Sequence, residues 1–122
     1  MKLLLKNHIE IDGKIETVVE HLEGNKIERL NKTFLEFEDE RKIKNLISYN
    51  ESSLKRIAYS NPKTIMEFSL DRLSETFYEA LGWLKIETLE FVQSEKQLSL
   101  KYRIFKEEQL LGNYQLEIEM FF

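Results

Sequence analysis

Apolar residues along this chain recur mostly at every second position, the period of a strand with one face buried. Near the C-terminal end Leu98, Leu100, Tyr102 and Ile104 share one face, with Ser99, Lys101 and Arg103 between them. Beyond a loop at 107–112, Tyr114, Leu116, Ile118, Met120 and Phe122 repeat the alternation against Gln115, Glu117 and Glu119. Two half-buried antiparallel strands account for both runs. At the other end Ile9 and Ile11 lead into Asp12-Gly13, a tight-turn dipeptide, and Ile15, Thr17 and Val19 lead out. Further strands are expected over 33–39, 42–49, 54–60, 64–70 and 83–92, with a weaker one over 26–30. The breaks are Asn50-Glu51-Ser52-Ser53 and Asn61-Pro62-Lys63.

One segment reads two ways. Leu70, Leu73, Phe77 and Leu81 recur near helical spacing, and Gly82 stands where a C-cap glycine would. The alternative is a turn over 71–74 followed by a strand over 75–81. Leu, Glu and Lys are plentiful, so propensity alone favours helix, but the period of two dominates elsewhere. A chain of roughly eight or nine short antiparallel strands joined by short turns is a sandwich or a barrel.

Composition narrows the chemistry. The chain has 122 residues, 42% hydrophobic and 33% charged, enough for one domain over residues 1–122 with a real core. There is no cysteine, which excludes disulfides, thiolate metal sites and Cys nucleophiles and fits a reducing cytoplasm. Leu3-Leu4-Leu5 is too short for a signal-peptide core, and no run approaches a membrane-spanning length, so a cytoplasmic location is expected. The four glycines are isolated, so no loop is built to cradle a phosphate.

The run Asn61-Pro62-Lys63-Thr64-Ile65-Met66-Glu67-Phe68 occurs here in a particular company. It is preceded by Ile11-Asp12-Gly13 with Glu16-Thr17, and followed by Tyr78, Gly82, Leu84, Ile86, Thr88 and the strand 98–104. In order and spacing this resembles the YwiB-like family of small uncharacterised bacterial proteins, over nearly the whole chain. The departure is Glu79-Ala80-Leu81, where the family often has a threonine-proline-aromatic segment. The resemblance implies an all-β, calycin-like (lipocalin-like) antiparallel barrel and tips 75–81 toward strand. It carries over no catalytic residue, and fold-level analogy says little about function.

Each chemistry can then be set against the residues. His8 and His21 are the only histidines. A two-residue turn at Asp12-Gly13 puts them on one face about 13 Å apart, and a three-residue turn puts them on opposite faces. Neither arrangement holds a metal or gives a serine nucleophile its base. Glu36 with Glu38 and Glu117 with Glu119 are neighbours on a strand face, where carboxylates are ordinarily solvated. No enzyme, metal or cofactor is expected. Tyr102-Arg103 beside Lys101 is the best candidate for nucleic acid, but the net charge is −4 and no basic stripe forms, so none is expected.

A lumen remains. Met66, Phe68, Trp83 and Tyr102 are the candidate contacts for a small apolar or amphipathic ligand. Trp83 would stand near a barrel mouth, and Tyr102 would offer a ring and a hydroxyl. Aromatic and Met stripes at strand spacing are more often simply core. The alternative is a ligand-free barrel that meets other proteins, as a monomer or a homodimer, through Leu110-Leu111 in the loop 107–112. Met120-Phe121-Phe122 would then be buried in the domain or in a dimer contact.

Overall fold

A computed structural model describes all residues, Met1–Phe122, and every element in it is a strand. The strands are β1 (Lys2–Ile11), β2 (Lys14–Arg29), β3 (Lys32–Glu38), β4 (Lys44–Tyr49) and β5 (Ser53–Ala58). They continue as β6 (Thr64–Ser69), β7 (Ser74–Tyr78), β8 (Gly82–Gln93), β9 (Gln97–Lys106) and β10 (Gln109–Phe121). Each pairs antiparallel with its sequence neighbour except β6 with β7, and β10 returns to pair with β1. The result is an up-and-down meander of 10 strands, nearly closed into a barrel, slightly more strands than the periodicity predicts.

The first hairpin is set by its turn. Asp12 and Gly13 take φ of 52° and 77°, the left-handed pair that a two-residue turn requires, and Ile11 pairs with Lys14. This places His8 opposite Thr17 and His21 opposite Leu4, the same-face arrangement. The segments expected separately at 15–19 and 26–30 are one strand. β2 follows β1 as far as Glu23 and then leaves it to pair with β3 from Gly24. Gly24 permits this bend, because a Cβ there would stand 2.7 Å from both the Glu36 carbonyl oxygen and Leu3 Cδ1. At the far end, the expected loop at 107–112 shrinks to a two-residue turn. Leu110 is exposed on the strand itself, and a bulge between Leu110 and Gly112 lets Leu111 pack against the core.

No helix forms over 70–81. β7 runs only to Tyr78, whose carbonyl accepts from the Leu81 N–H at 3.0 Å as the chain turns into β8, and its Thr76 is buried inward. β6 and β7 lie side by side without a backbone ladder, and hydroxyls close the seam instead. The Thr76 hydroxyl donates to the Ile65 carbonyl at 2.5 Å, and the Ser74 hydroxyl donates to the Glu67 carbonyl. The Ser69 N–H donates to Thr88 Oγ1 at 3.1 Å.

Inside, the alternation delivers a continuous core. Leu3, Leu5, Leu35, Ile47, Ile86, Leu98, Leu100, Ile118 and Met120 are essentially inaccessible. Met120 closes that row, but Phe121 and Phe122 lie outside it. Phe122 is 70% exposed and rests beneath the Lys26 ammonium at 5.2 Å, so the chain end is not buried in the domain.

Thr76→Val keeps the side-chain shape and removes the donor, leaving the part-buried seam carbonyl of Ile65 without its partner on β7. The expected loss is about 1–3 kcal/mol, read from the urea midpoint. An unchanged midpoint would mean that packing alone holds the seam.

Candidate functional site

The two halves of the sheet face each other, and aromatic side chains fill the space between them. Phe68 on β6 meets Tyr102 on β9 with ring centroids 4.7 Å apart. Tyr102 stacks on Tyr114 at 5.1 Å, while Tyr49 meets Phe91 edge-on at 6.5 Å. Two of the expected ligand contacts, Phe68 and Tyr102, are therefore brought together as packed core. Met66 lies one inward position closer to the barrel end and is half-buried. Trp83 follows Gly82 at the start of β8 but points outward, because Leu84 and Ile86 take the inward positions. It is 65% exposed and packs on Phe77 at 5.4 Å on the outer wall, away from the other three.

Open space lies at the end of the barrel where the β3–β4, β5–β6 and β7–β8 turns converge. A cavity of about 720 Å³ runs in from there, with Ala58, Pro62, Met66 and Tyr78 among its apolar walls. Its polar side is organised by Asp39. One carboxylate oxygen of Asp39 accepts from the Arg41 and Ile43 N–H groups, at 2.9 and 3.0 Å. The other accepts from Asn45 Nδ2 at 3.3 Å. Asn45, itself buried, then accepts at Oδ1 from Arg56 Nε at 3.1 Å. Arg56 sits on the inward face of β5, paired with Met66 on β6, and its guanidinium stands 5.9 Å from the Phe37 ring centre.

Arg56 is the unexpected member of this site. Burial lowers its pKa, against the raising fields of Tyr102, Asp39 and Glu20, and an arginine guanidinium is too basic to lose its charge for that. In turn, burial pushes the Tyr102 phenol up to about 12, against the opposing pull of the Arg56 charge. The signal was present in the sequence: Leu54, Arg56 and Ala58 alternate, which puts an arginine in an otherwise apolar inward row. Asn45, in step with Ile47 and Tyr49, is the second such interruption.

The other expected groups stay apart from this site. His8 Nδ1 lies 3.0 Å from Thr17 Oγ1, and its Nε2 is 3.5 Å from Glu117. His21 is exposed elsewhere on β2, and no three acidic or histidine side chains are grouped to hold a metal. Lys101 and Arg103 each lie 3.6 Å from a carboxylate, of Glu90 and Glu87 respectively.

The Tyr102 phenol stays protonated in the fold above its ordinary value of 10.0, so the unfolded chain loses that proton first. Stability is then flat below pH 10 and falls as pH rises through 12, by about 2–3 kcal/mol from this group. Urea midpoints measured across that range should fall less in Tyr102→Phe than in the parent. Parallel curves would contradict this assignment.

The comparisons agree with the architecture. The crystal structure of ywiB protein from Bacillus subtilis matches with a TM-score of 0.73, covering 99% of this chain and 91% of that one. The identity is 19%, so this likeness shows the shared barrel and nothing finer. No curated protein sequence matches. The family model described as "Domain of unknown function (DUF1934)" matches residues 4–118, from the first strand to the last. The chain therefore belongs to the DUF1934 family, as the YwiB-like order of its motifs implies.

Proposed function

We propose that this protein is a cytoplasmic, non-catalytic binding protein that takes one small amphipathic molecule into the mouth of its barrel. The observation that carries this reading is the cavity of about 720 Å³, which joins an apolar wall to a fixed polar one. Pockets of that size that join an apolar wall to convergent polar groups are what small ligands ordinarily occupy. Met66 lines the cavity, and Phe68 and Tyr102 form the packed floor behind it. Trp83 has no part in it. Nucleic acid and membrane are not among the proposed partners, since the chain is acidic, with a net charge of −4.

A second reading has its own observation. Phe77 and Trp83 form an exposed aromatic pair on the β7–β8 hairpin, an arrangement that also fits contact with another protein or a second copy.

Native mass spectrometry of gently purified protein separates the two. The binding reading expects a monomer carrying extra mass that is lost on denaturation. Ala58→Trp, which fills the mouth, should remove that mass. A bare monomer would count against the reading, and a bare dimer would transfer the proposal to the aromatic pair.

A further inference from the structure

Arg56 is half-buried at the mouth of the barrel, held by one hydrogen bond to Asn45 and by the face of Phe37, and no acceptor meets the rest of its guanidinium. A cation in a barrel interior loses hydration, and this is normally offset by an ion pair or a full set of hydrogen bonds. Arg56 has one hydrogen bond, from Nε to Asn45, and no ion pair. The carboxylates that act on it are already engaged. Asp39 is spent on the Arg41 and Ile43 N–H groups and on Asn45, and Glu20 accepts from the Glu40 N–H at 3.2 Å. The Asn45 contact fixes the guanidinium plane and leaves both Nη amines without a protein partner and open to the cavity.

The charges around it balance, so Arg56 itself gives the lining its excess. Arg41, Arg56 and Lys63 line the cavity against Asp39 and Glu79, an excess of positive charge in a chain whose net charge is −4. A planar fork with two free amines is complementary to an oxyanion that accepts in bidentate fashion. Beside it, Met66, Ala58 and Pro62 offer an apolar surface and no further acceptor in place of such a group.

We propose that Arg56 anchors the ligand's head group, and that the ligand is an organic anion with a carboxylate or phosphate head and an apolar tail. This rests on the mouth-binding reading and adds the head-group class. Asn45 is a positioning residue that holds the fork, and Asp39 holds Asn45.

The experiment compares decanoate, decyl phosphate and decanol by ¹⁵N-resolved NMR titration of the full chain. Decanoate or decyl phosphate, or both, should bind at least about tenfold more tightly than decanol, as expected of a charge-assisted bidentate contact. Their addition should shift the Arg56 Nε–Hε resonance. Arg56→Met should bind decanol unchanged and lose the preference for anions, while Arg56→Lys should keep part of it. Equal binding of all three probes by the parent protein would overturn the head-group assignment and leave the mouth-binding reading intact. An anion preference that survives in Arg56→Met would overturn it too, by moving the role to Arg41 and Lys63. If neither variant folds, the parent's preference and the Arg56 resonance decide. Binding of no probe would overturn both readings.

Discussion

The pairing of β1 with β10 is the constraint on which this molecule depends. It joins the two ends of the chain along a ladder from Lys2↔Phe121 to Glu10↔Asn113, and turns a meander into a ring. A closed ring has no edge strands to protect. Here closure is nearly complete, and the two strands left without a ladder between them, β6 and β7, face each other. Three hydroxyls, of Ser74, Thr76 and Thr88, satisfy backbone groups that a ladder would otherwise pair. The wall is continuous in shape but different in kind at this one place.

Ring closure also decides where space remains. With β1, β8, β9 and β10 opposite β3, β4 and β5, the inward rows interdigitate, and Phe68, Tyr102 and Tyr114 fill the middle. The core ends near Met66. Beyond it the inward positions carry Arg56, Asn45, Ala58 and Thr64, which are charged, polar or small, and the cavity opens there. Thr64 and Met66 belong to β6 and Tyr78 to β7, so this cavity adjoins the seam. The softest stretch of wall and the one built polar site occupy the same part of the barrel.

The strand pattern was legible because one face of each strand meets a core, and a core selects every second residue. The turn at Asp12-Gly13 was legible for the same local reason. The continuity of β2 was not, because Gly24 reads as a break until Leu3 and the Glu36 carbonyl are seen to crowd it. The helical spacing of Leu70, Leu73, Phe77 and Leu81 leaves that segment open between helix and strand until the resemblance tips it to strand. Those four are exposed, and the residue the fold uses is Thr76, whose partner lies on another strand. Trp83 drew attention as a large aromatic beside a glycine, yet the parity set by Leu84 and Ile86 sends it outward. Arg56 reads in the sequence as one basic residue among many. Its register is readable, but its half-buried place beside Asn45 and Phe37 comes from strands brought together only by the fold.

Amide hydrogen exchange resolved by residue tests the closure most directly. If β1 and β10 carry the ring and hydroxyls alone close the seam, core amides of β1, β9 and β10 exchange slowest, near the global unfolding limit. The seam-side amides of Ile65 and Glu67, which have no ladder partner on β7, then exchange well before them. Equal protection along β6, β7, β1 and β10 would contradict the account, because it would mean an uninterrupted barrel with no soft wall beside its mouth.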